Sequence, residues 1–306
     1  MSIVLAVRSR LSVKISLMLA VLLLVLTAGA AAIIMVGQTR QMEELTLEKA
    51  RLAASSGARQ WGDVFDAAID AGQLTVADVF DRSYQEIKGW NWGDKPKFHT
   101  RFDTFTDKAV LVFQDRFLDS EDFIFAVGVD ETGYLPTHNT RYQKPLTGDP
   151  AQDLAGNRTK RVFNDPVGAA AAKNTEPSLK QVYRRDTGET LWDVSSPIYV
   201  KGKHWGGFRI GVSMTRIEAR QRALLGQLFL IFTAFAAVTI LAVFLVVQRA
   251  MRPVKVLTEA AEAISMGEGL DTPIKTVAVD EIGQLTKAVE RLRVSMRAAM
   301  SRLSGQ

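Results

Sequence analysis

The chain has 306 residues, a formal net charge of +5 and no cysteine. The absence of cysteine excludes disulfides, cysteine zinc sites and CxxCH haem attachment. The basic residues form no stripe of the kind that accompanies a nucleic-acid-binding fold, so we expect no nucleic-acid partner.

Two long apolar runs, at residues 15–36 and 223–247, dominate the hydropathy pattern. Each run exceeds the roughly 20 apolar residues that a helix needs to cross a hydrocarbon core of about 30 Å. Because a helix satisfies its own backbone hydrogen bonds, both runs are predicted to be membrane-spanning helices. The first run also resembles a cleavable signal peptide around residues 26–32, but it stays apolar through Val36, which favours an uncleaved anchor.

Basic side chains flank the two apolar runs on the sides that face the chain termini. They are Arg8, Arg10 and Lys14 before the first run and Arg249, Arg252 and Lys255 after the second. Because basic residues near helix ends stay cytoplasmic, residues 1–14 and the C-terminal part are predicted to be cytoplasmic and residues 37–222 to lie outside. Residues 38–222 carry 26 basic and 26 acidic side chains, so the excess of +5 belongs to the cytoplasmic ends.

The pattern between the two runs predicts an α+β domain. Residues 38–80 read as a helix that leaves the membrane and a second short helix, with interruptions expected at Gly57, Gly62 and Gly72. A loop, a helix and an ambiguous segment follow at residues 90–96, 102–118 and 157–172. Strands are predicted at residues 123–129, 134–139, 179–185, 191–200 and 205–213. This order is typical of a PAS/Cache-like domain with long helices and an antiparallel sheet of about five strands.

Two amphipathic helices with heptad spacing follow the second apolar run. The first seam contains Pro253, Leu257, Ala260 and Ile264, and the second contains Ile282, Leu285, Val289, Leu292, Met296 and Ala299. Pro253 is placed at a helix start, where proline is tolerated. Gly267 and Gly269 are expected to end the first helix, and Asp280 is predicted to cap the second.

The connector between these helices contains two apolar residues, Leu270 and Ile274, and is long enough to make the helices parallel. Neither helix buries its seam alone, whereas two copies would form a parallel four-helix bundle. This layout resembles a HAMP domain, predicted at residues 248–301 and followed by a tail at residues 302–306. A membrane-proximal coiled coil without a signalling role is the alternative.

Several external segments are similar to the sensor region of bacterial methyl-accepting chemotaxis proteins. They include FAVGVDETGYLPTHN, PLTGD, NRTKRVFND, NTEP, QVYRRDTGE and WDVSSPIYVKGKHWGGFRIGV, between about residues 99 and 212. With its flanking helices and HAMP segment, the chain resembles the N-terminal half of such a receptor. The family continues into a helical hairpin that controls a kinase. This sequence ends at Gln306, so we expect no kinase-control domain.

The resemblance implies a ligand pocket between the sheet and a covering loop. In such a pocket, a few polar groups in an apolar cup hold a small molecule. The candidate ligand-binding residues are Tyr134, His138, Asn139, Arg158, Tyr183, Arg184 and Asp193. Arginine that faces aromatic walls, here Trp192 and Trp205, would suit a small carboxylate. His138 lies on the loop that covers the pocket in the family and is the leading candidate.

These candidates also have structural interpretations. Trp192 and Trp205 would belong to the core, each with one hydrogen bond. The cluster of Arg158, Lys160 and Arg161 fits a solvated or structural face. Residues 136–139 would fix a loop by hydrogen bonds from side chains to the backbone.

Neither a cofactor nor an enzymatic activity is expected. His99, His138 and His204 lie far apart without HxxxH or HExxH spacing, which disfavours a metal or non-covalent haem at His138. The sequence also contains no GxSxG motif and no P-loop.

The sequence thus predicts a homodimeric sensory protein of the bacterial inner membrane, paired through HAMP and the membrane helices. A periplasmic domain would detect a small molecule, and HAMP would pass the signal to a separate signalling protein or larger membrane complex. The alternative is an accessory or structural subunit that docks on a larger complex or on full-length receptors. A truncated receptor is a third interpretation.

Overall fold

The computed structural model describes residues 11–89, 95–275 and 279–303. The chain forms two compact units, residues 36–225 and residues 1–35 with 226–306. Parts of four predicted segments lie outside the described residues. They are residues 1–10 of the N-terminus, with Arg8 and Arg10, residues 90–94 of the loop, residues 276–278 of the HAMP connector, and residues 304–306 of the tail.

Two long helices, α1 (Leu11–Asp70) and α7 (Met214–Ser265), run through both units. Among the described residues, five short α-helices lie between them: α2 (Val76–Val79), α3 (Asp103–Ala109), α4 (Leu111–Arg116), α5 (Pro150–Gly156) and α6 (Pro166–Lys173). The strands are β1 (Gln85–Glu86), β2 (Phe98–His99), β3 (Phe123–Asp130), β4 (Tyr134–Leu135), β5 (Arg161–Val162), β6 (Leu179–Arg184), β7 (Thr190–Val200) and β8 (Lys203–Ser213). The last helix is α8 (Glu281–Leu303).

The main sheet of the unit at residues 36–225 has four antiparallel strands in the order β3–β8–β7–β6. The prediction of about five strands was wrong because the predicted strand at residues 134–139 forms only β4, which pairs with β5 in a separate ladder. Pro136 follows β4, and a proline has no backbone donor with which to extend the ladder. The α+β architecture is confirmed.

The hairpin that joins β7 and β8 turns at Lys201 and Gly202. Both residues have positive φ, 47° and 76°, and Val200 pairs with Lys203. Positive φ at both residues of a two-residue hairpin loop is typical of a type I′ turn, whose twist matches that of the flanking strands. The predicted turn is therefore present, with β8 beginning two residues earlier than expected.

Helix α1 packs on one face of the sheet through small residues and two large aromatic ones, Trp61 and Phe65. The rings of Trp61 and Trp205 have centroids 5.6 Å apart in this core. Gly57 and Gly62 lie inside α1 and do not interrupt it, contrary to the prediction. A Cβ at Gly57 would lie 2.1 Å from the Phe208 ring, so close approach to the sheet explains this glycine.

The opposite face of the sheet is covered by the chain between β3 and β6. A second apolar cluster forms there and includes Phe125, Val127, Leu135, Tyr183 and Leu191. The predicted helix at residues 102–118 precedes this cover and is divided into α3, α4 and a 3₁₀ turn. The ambiguous segment at residues 157–172 contains β5 and most of α6.

Within the other unit, α1 and α7 contribute segments that are long and apolar enough to cross a membrane, by length and composition. Nearly all of each apolar segment is exposed, with Met18, Leu26 and Leu230 among the exposed side chains. A core helix of a soluble protein would bury such residues. Their exposure distinguishes these segments from the buried core helix of a soluble protein.

The C-terminal helices of this unit largely follow the predicted pattern. Pro253 is an exception, because it lies inside α7 and not at a helix start. Helix α7 ends at Ser265, and Gly267 and Gly269 follow with positive φ of 79° and 66°. At the start of α8, Asp280 Oδ1 accepts a hydrogen bond from the Gly283 backbone at 3.1 Å, as predicted for an N-cap.

Candidate ligand-binding site

A cavity of about 280 Å³, including its open mouth, lies between the sheet and the segment that covers it. Its lining residues are Phe125, Val127, Leu135, His138, Arg158, Phe163, Tyr183, Arg185 and Arg209. The lining combines an apolar cup with three guanidinium groups and one imidazole. About 20 Å³ of this space is wide enough for a water-sized group, so a larger ligand must displace part of the lining.

Arg209 reaches the cavity because side chains alternate along β8. Phe208 and Ile210 belong to the core on the α1 side, so Arg209 between them faces the opposite side. Its Nε donates to Asp193 Oδ2 at 2.8 Å, and its Nη2 contacts the same oxygen. Burial raises the pKa of Asp193 against the opposing attraction of this guanidinium.

The other two cavity arginines belong to the cover and to the end of β6. Arg158 Nη1 donates to Asp186 Oδ1 at 2.8 Å, and its guanidinium lies 5.4 Å from the Phe163 ring centroid. Arg185 Nη1 lies 3.5 Å from Glu189 Oε2, and its guanidinium lies 5.9 Å from the Phe125 ring centroid. These contacts orient both guanidinium groups against aromatic faces.

His138 presents a neutral imidazole to the cavity. Burial, reinforced by the charges of Arg158, Arg185, Arg161 and Arg209, holds its pKa well below 6.5. Its Nδ1 accepts a hydrogen bond from the Asn139 backbone at 2.7 Å, which assigns the remaining proton to Nε2. Nε2–H is therefore available as a donor to an oxygen atom.

Four of the seven predicted site residues lie outside the cavity lining. Tyr134 is buried in the α1-side core, where its hydroxyl donates to the Phe98 carbonyl and to Asp103, both at 2.8 Å. Asn139 Oδ1 accepts from the Ala126 backbone at 2.9 Å, which fixes the covering loop to β3. Arg184 is exposed.

Asp193, the fourth of these residues, orients Arg209 from outside the lining. The structure therefore brings three of the predicted residues together around one cavity: His138, Arg158 and Tyr183.

The aromatic walls of the cavity are not the predicted tryptophans. Trp192 and Trp205 are buried on the α1 side of the sheet, and Trp205 Nε1 donates to the Val79 carbonyl at 2.9 Å. Phe125, Phe163 and Tyr183 supply the walls instead. Both tryptophans therefore belong to the core, and Trp205 makes the one hydrogen bond expected of it.

The basic cluster of the cover is buried and not solvated. Lys160 Nζ lies 2.8 Å from Asp107 Oδ2 and 3.4 Å from Asp103 Oδ2. Arg161 Nη1 donates to the Leu154 carbonyl at 3.2 Å. These contacts fasten the cover and leave Arg158 as the member of the cluster that lines the cavity.

Two cavity arginines, Arg185 and Arg209, were not among the predicted site residues. Strand alternation signals Arg209, because apolar Phe208 and Ile210 flank it in the sequence. Arg185 is one residue beyond Arg184 and beyond the end of β6, where alternation no longer decides which arginine turns inward.

No group of three or more His, Cys, Asp or Glu side chains in residues 11–89, 95–275 and 279–303 is arranged to hold a metal ion. His99 is paired with Asp103 at 3.4 Å, and His204 Nε2 lies 3.1 Å from the Asn174 carbonyl. His138 is therefore the histidine placed to act on a cavity ligand.

The C-terminal helical pair contains a polar clamp on its connector. Glu290 Oε2 accepts the Ile274 backbone N–H at 2.9 Å and also pairs with Arg293, whose Nη1 contacts the Leu270 carbonyl. The hydrogen bond from Arg293 holds the pKa of Glu290 at about 2. The two predicted connector residues are thus tied to α8 through their backbones.

The seam residues of this pair divide into buried and exposed sets. Leu257 and Ile264 on α7 are buried within one chain, whereas Leu285 and Leu292 on α8 are 45% and 57% exposed. A single copy therefore leaves part of the second seam without an apolar partner.

Comparison with known protein families identifies the C-terminal helical pair. Residues 245–298 match the HAMP domain, so this helical pair is a HAMP domain. No match was found among curated proteins. Among solved structures, the chain is similar to the crystal structure of the E. coli DcuS sensor domain, with 20% identity and a TM-score of 0.27 over 37% of this chain and 72% of that chain. A similarity of this extent carries no information about a ligand.

The parts follow in a defined order: an apolar helix, an α+β domain with a polar cavity, a second apolar helix and HAMP. The chain thus combines two helices that are long and apolar enough to cross a membrane with a HAMP domain. The resemblance to chemotaxis receptors in particular stays a prediction.

Proposed function

We propose that the chain is a receptor-type protein of the bacterial inner membrane that detects a small anion, such as a carboxylate, in the periplasm. One observation carries the proposal: Arg158, Arg185, Arg209 and the neutral His138 all line one cavity. Guanidinium groups bind carboxylates through charge-assisted hydrogen bonds, and the aromatic cup excludes water around them. No catalytic role is assigned to these residues.

HAMP would carry the signal to the cytoplasmic side as part of a homodimer. The exposed Leu285 and Leu292 support this arrangement, because a second copy would cover them in a parallel bundle. A ligand that binds two bundle packings with different affinity shifts the equilibrium between them. The output would pass to a separate signalling protein on the cytoplasmic side.

A thermal-shift screen of the full chain in nanodiscs tests the ligand class. Three anions, acetate, malonate and sulfate, are compared with the cation of ethylamine. A ligand at 100 times its Kd stabilises the folded state by about 2.7 kcal/mol, which raises the melting temperature measurably. We expect at least one anion, and no amine, to raise the melting temperature. A shift by ethylamine alone would exclude the anion proposal.

Two adjacent arginines provide a matched pair of variants for the screen. Arg185→Ala removes a cavity guanidinium, whereas Arg184→Ala removes an exposed one. We expect the anion-induced shift to disappear in the first variant, and also in His138→Ala, and to persist in Arg184→Ala. Equal losses at both arginines would place the binding site elsewhere.

The exposed α8 seam also fits an accessory subunit that docks on another HAMP-containing protein. Purification of the protein from native membranes distinguishes the two roles. A homodimer supports the receptor, and a different protein at fixed stoichiometry supports the accessory subunit.

A further inference from the structure

Every arginine that lines the cavity is paired with a carboxylate of the chain itself. The pairs are Arg158 with Asp186 at 2.8 Å, Arg185 with Glu189 at 3.5 Å and Arg209 with Asp193 at 2.8 Å. An incoming anion therefore meets guanidinium groups that already have negative partners. Binding must involve either sharing or exchange of these partners.

The three carboxylates differ in whether they can separate from their arginine partners. Asp193 is fully buried on β7 and has no route to water. The Asp186 and Glu189 side chains are 27% and 34% exposed, whereas their arginine partners are 2% and 4% exposed. A carboxylate at the surface can leave its arginine and turn into water, because hydration of the carboxylate then replaces the ion pair.

Asp186 and Glu189 also share one short segment, the turn between β6 and β7. Backbone hydrogen bonds close this turn, from Arg185 N–H to the Glu189 carbonyl and from Gly188 N–H to the Arg185 carbonyl, both at 2.9 Å. The Gly188 φ of 88° gives the turn its shape. Release of both carboxylates would therefore free one continuous segment that begins beside the cavity residue Arg185.

Asp186 is suited to act as an anion at neutral pH. Burial opposes its ionisation, but the hydrogen bond and charge of Arg158 outweigh burial and lower the pKa of Asp186 below 3.8. The carboxylate consequently remains charged and competes with any anionic ligand for Arg158.

We propose that Asp186 and Glu189 are internal counter-anions that occupy the ligand-binding arginines of the empty cavity. A ligand anion displaces them from Arg158 and Arg185 and releases the β6–β7 turn. The inference rests on the proposed function, because it requires an anion in this cavity. It also favours a ligand with two negative charges, since such a ligand replaces the charge of both carboxylates.

Calorimetric titration of the full chain in nanodiscs with malonate tests the exchange. Asp186→Asn and Glu189→Gln remove one competing charge each, so each should bind malonate about 3- to 10-fold more tightly than the unaltered chain. Thr187→Ala changes a side chain of the same turn that forms no ion pair, and Asp63→Asn removes one charge from an exposed position on α1. Both controls should bind malonate with unchanged affinity.

A purely supporting role predicts the opposite sign. If the carboxylates only hold the arginines in place, Asp186→Asn and Glu189→Gln weaken malonate binding, and that result overturns the exchange. Equal tightening in Asp63→Asn would also overturn it, because general electrostatics would then explain the gain. If the unaltered chain binds none of acetate, malonate or sulfate, the proposed function fails along with the exchange.

Hydrogen exchange on the unaltered chain gives a second measurement that depends on no variant. Saturating malonate should accelerate exchange at the Arg185 and Gly188 amides, because the turn that protects them is released. Slower exchange at both amides with malonate bound would show that the turn closes on the ligand, and would contradict displacement.

Discussion

Arg209 on β8 donates from Nε to Oδ2 of Asp193 on the neighbouring strand β7 at 2.8 Å, and both side chains are buried on the cavity face of the sheet. Two charges are thereby placed in the interior next to the cavity. A buried ion pair adds little stability compared with apolar packing, so we interpret this pair as part of the site.

Removal of one partner of this pair should be costly. Arg209→Met leaves the Asp193 carboxylate buried without a cation, and we expect the free energy of unfolding to fall by about 3–5 kcal/mol. Urea unfolding of the protein in detergent, followed by tryptophan fluorescence, measures the change. The double variant Asp193→Leu with Arg209→Met should regain most of the loss, and equal instability of the two variants would contradict this explanation.

Protonation of His138 should destabilise the external domain in mild acid. Its folded pKa lies well below 6.5, so the unfolded chain binds the extra proton first as the pH falls below that value. Stability is therefore lost below about pH 6.5, by up to about 1.4 kcal/mol per pH unit. His138→Gln keeps an acceptor for the Asn139 N–H, so the difference between the two pH profiles isolates the imidazole. Parallel profiles would exclude the effect.

Replacement of glycine by alanine on α1 should destabilise the protein where α1 touches the sheet. Gly57→Ala would place a Cβ 2.1 Å from the Phe208 ring, and Gly62→Ala 2.4 Å from the Tyr199 carbonyl. Each variant should lose about 1–3 kcal/mol of stability through overpacking. Gly37→Ala is the control, because nothing lies within 4 Å of its Cβ and helix propensity favours alanine. Stability in Gly57→Ala equal to that of the control would contradict this packing.

The connector clamp of the HAMP domain should be visible in hydrogen exchange. Glu290→Ala removes the acceptor of the Ile274 N–H, so we expect that amide to exchange about tenfold faster. Glu259→Ala is the matched control, because Glu259 is an exposed partner of Lys255 on α7. Unchanged protection of Ile274 in the first variant would show that the clamp does not hold the connector.

Local patterns in the sequence anticipated much of this fold. The two apolar segments, the later strands and the β7–β8 turn follow from hydropathy, period-2 alternation and Gly202. The glycines of α1 were misread as interruptions, since their reason lies in the distant Phe208 ring and Tyr199 carbonyl. A contact between residues so far apart in the chain leaves no local signal.

Strand alternation signals both Tyr183 and Arg209, although only Tyr183 was predicted, and it gives no signal for Arg185 beyond the end of β6. Tyr183 lies within β6 and faces the cavity, whereas the inward turn of Arg185 is set by the geometry of the β6–β7 turn. His138 and Arg158 come together only because the cover folds over the sheet. No spacing of residues in the sequence indicates this arrangement, and the expectation of a covering loop came from the family resemblance.

The central claim is that an anion in the external cavity changes the packing of HAMP, and one cross-linking measurement tests it directly. The chain with Leu285→Cys is placed in nanodiscs, and the rate of disulfide formation between copies is measured with and without malonate. We expect malonate to change this rate in the Arg184→Ala background and to have no effect in Arg185→Ala. An absence of cross-linking, or a malonate effect that persists in Arg185→Ala, would contradict the claim.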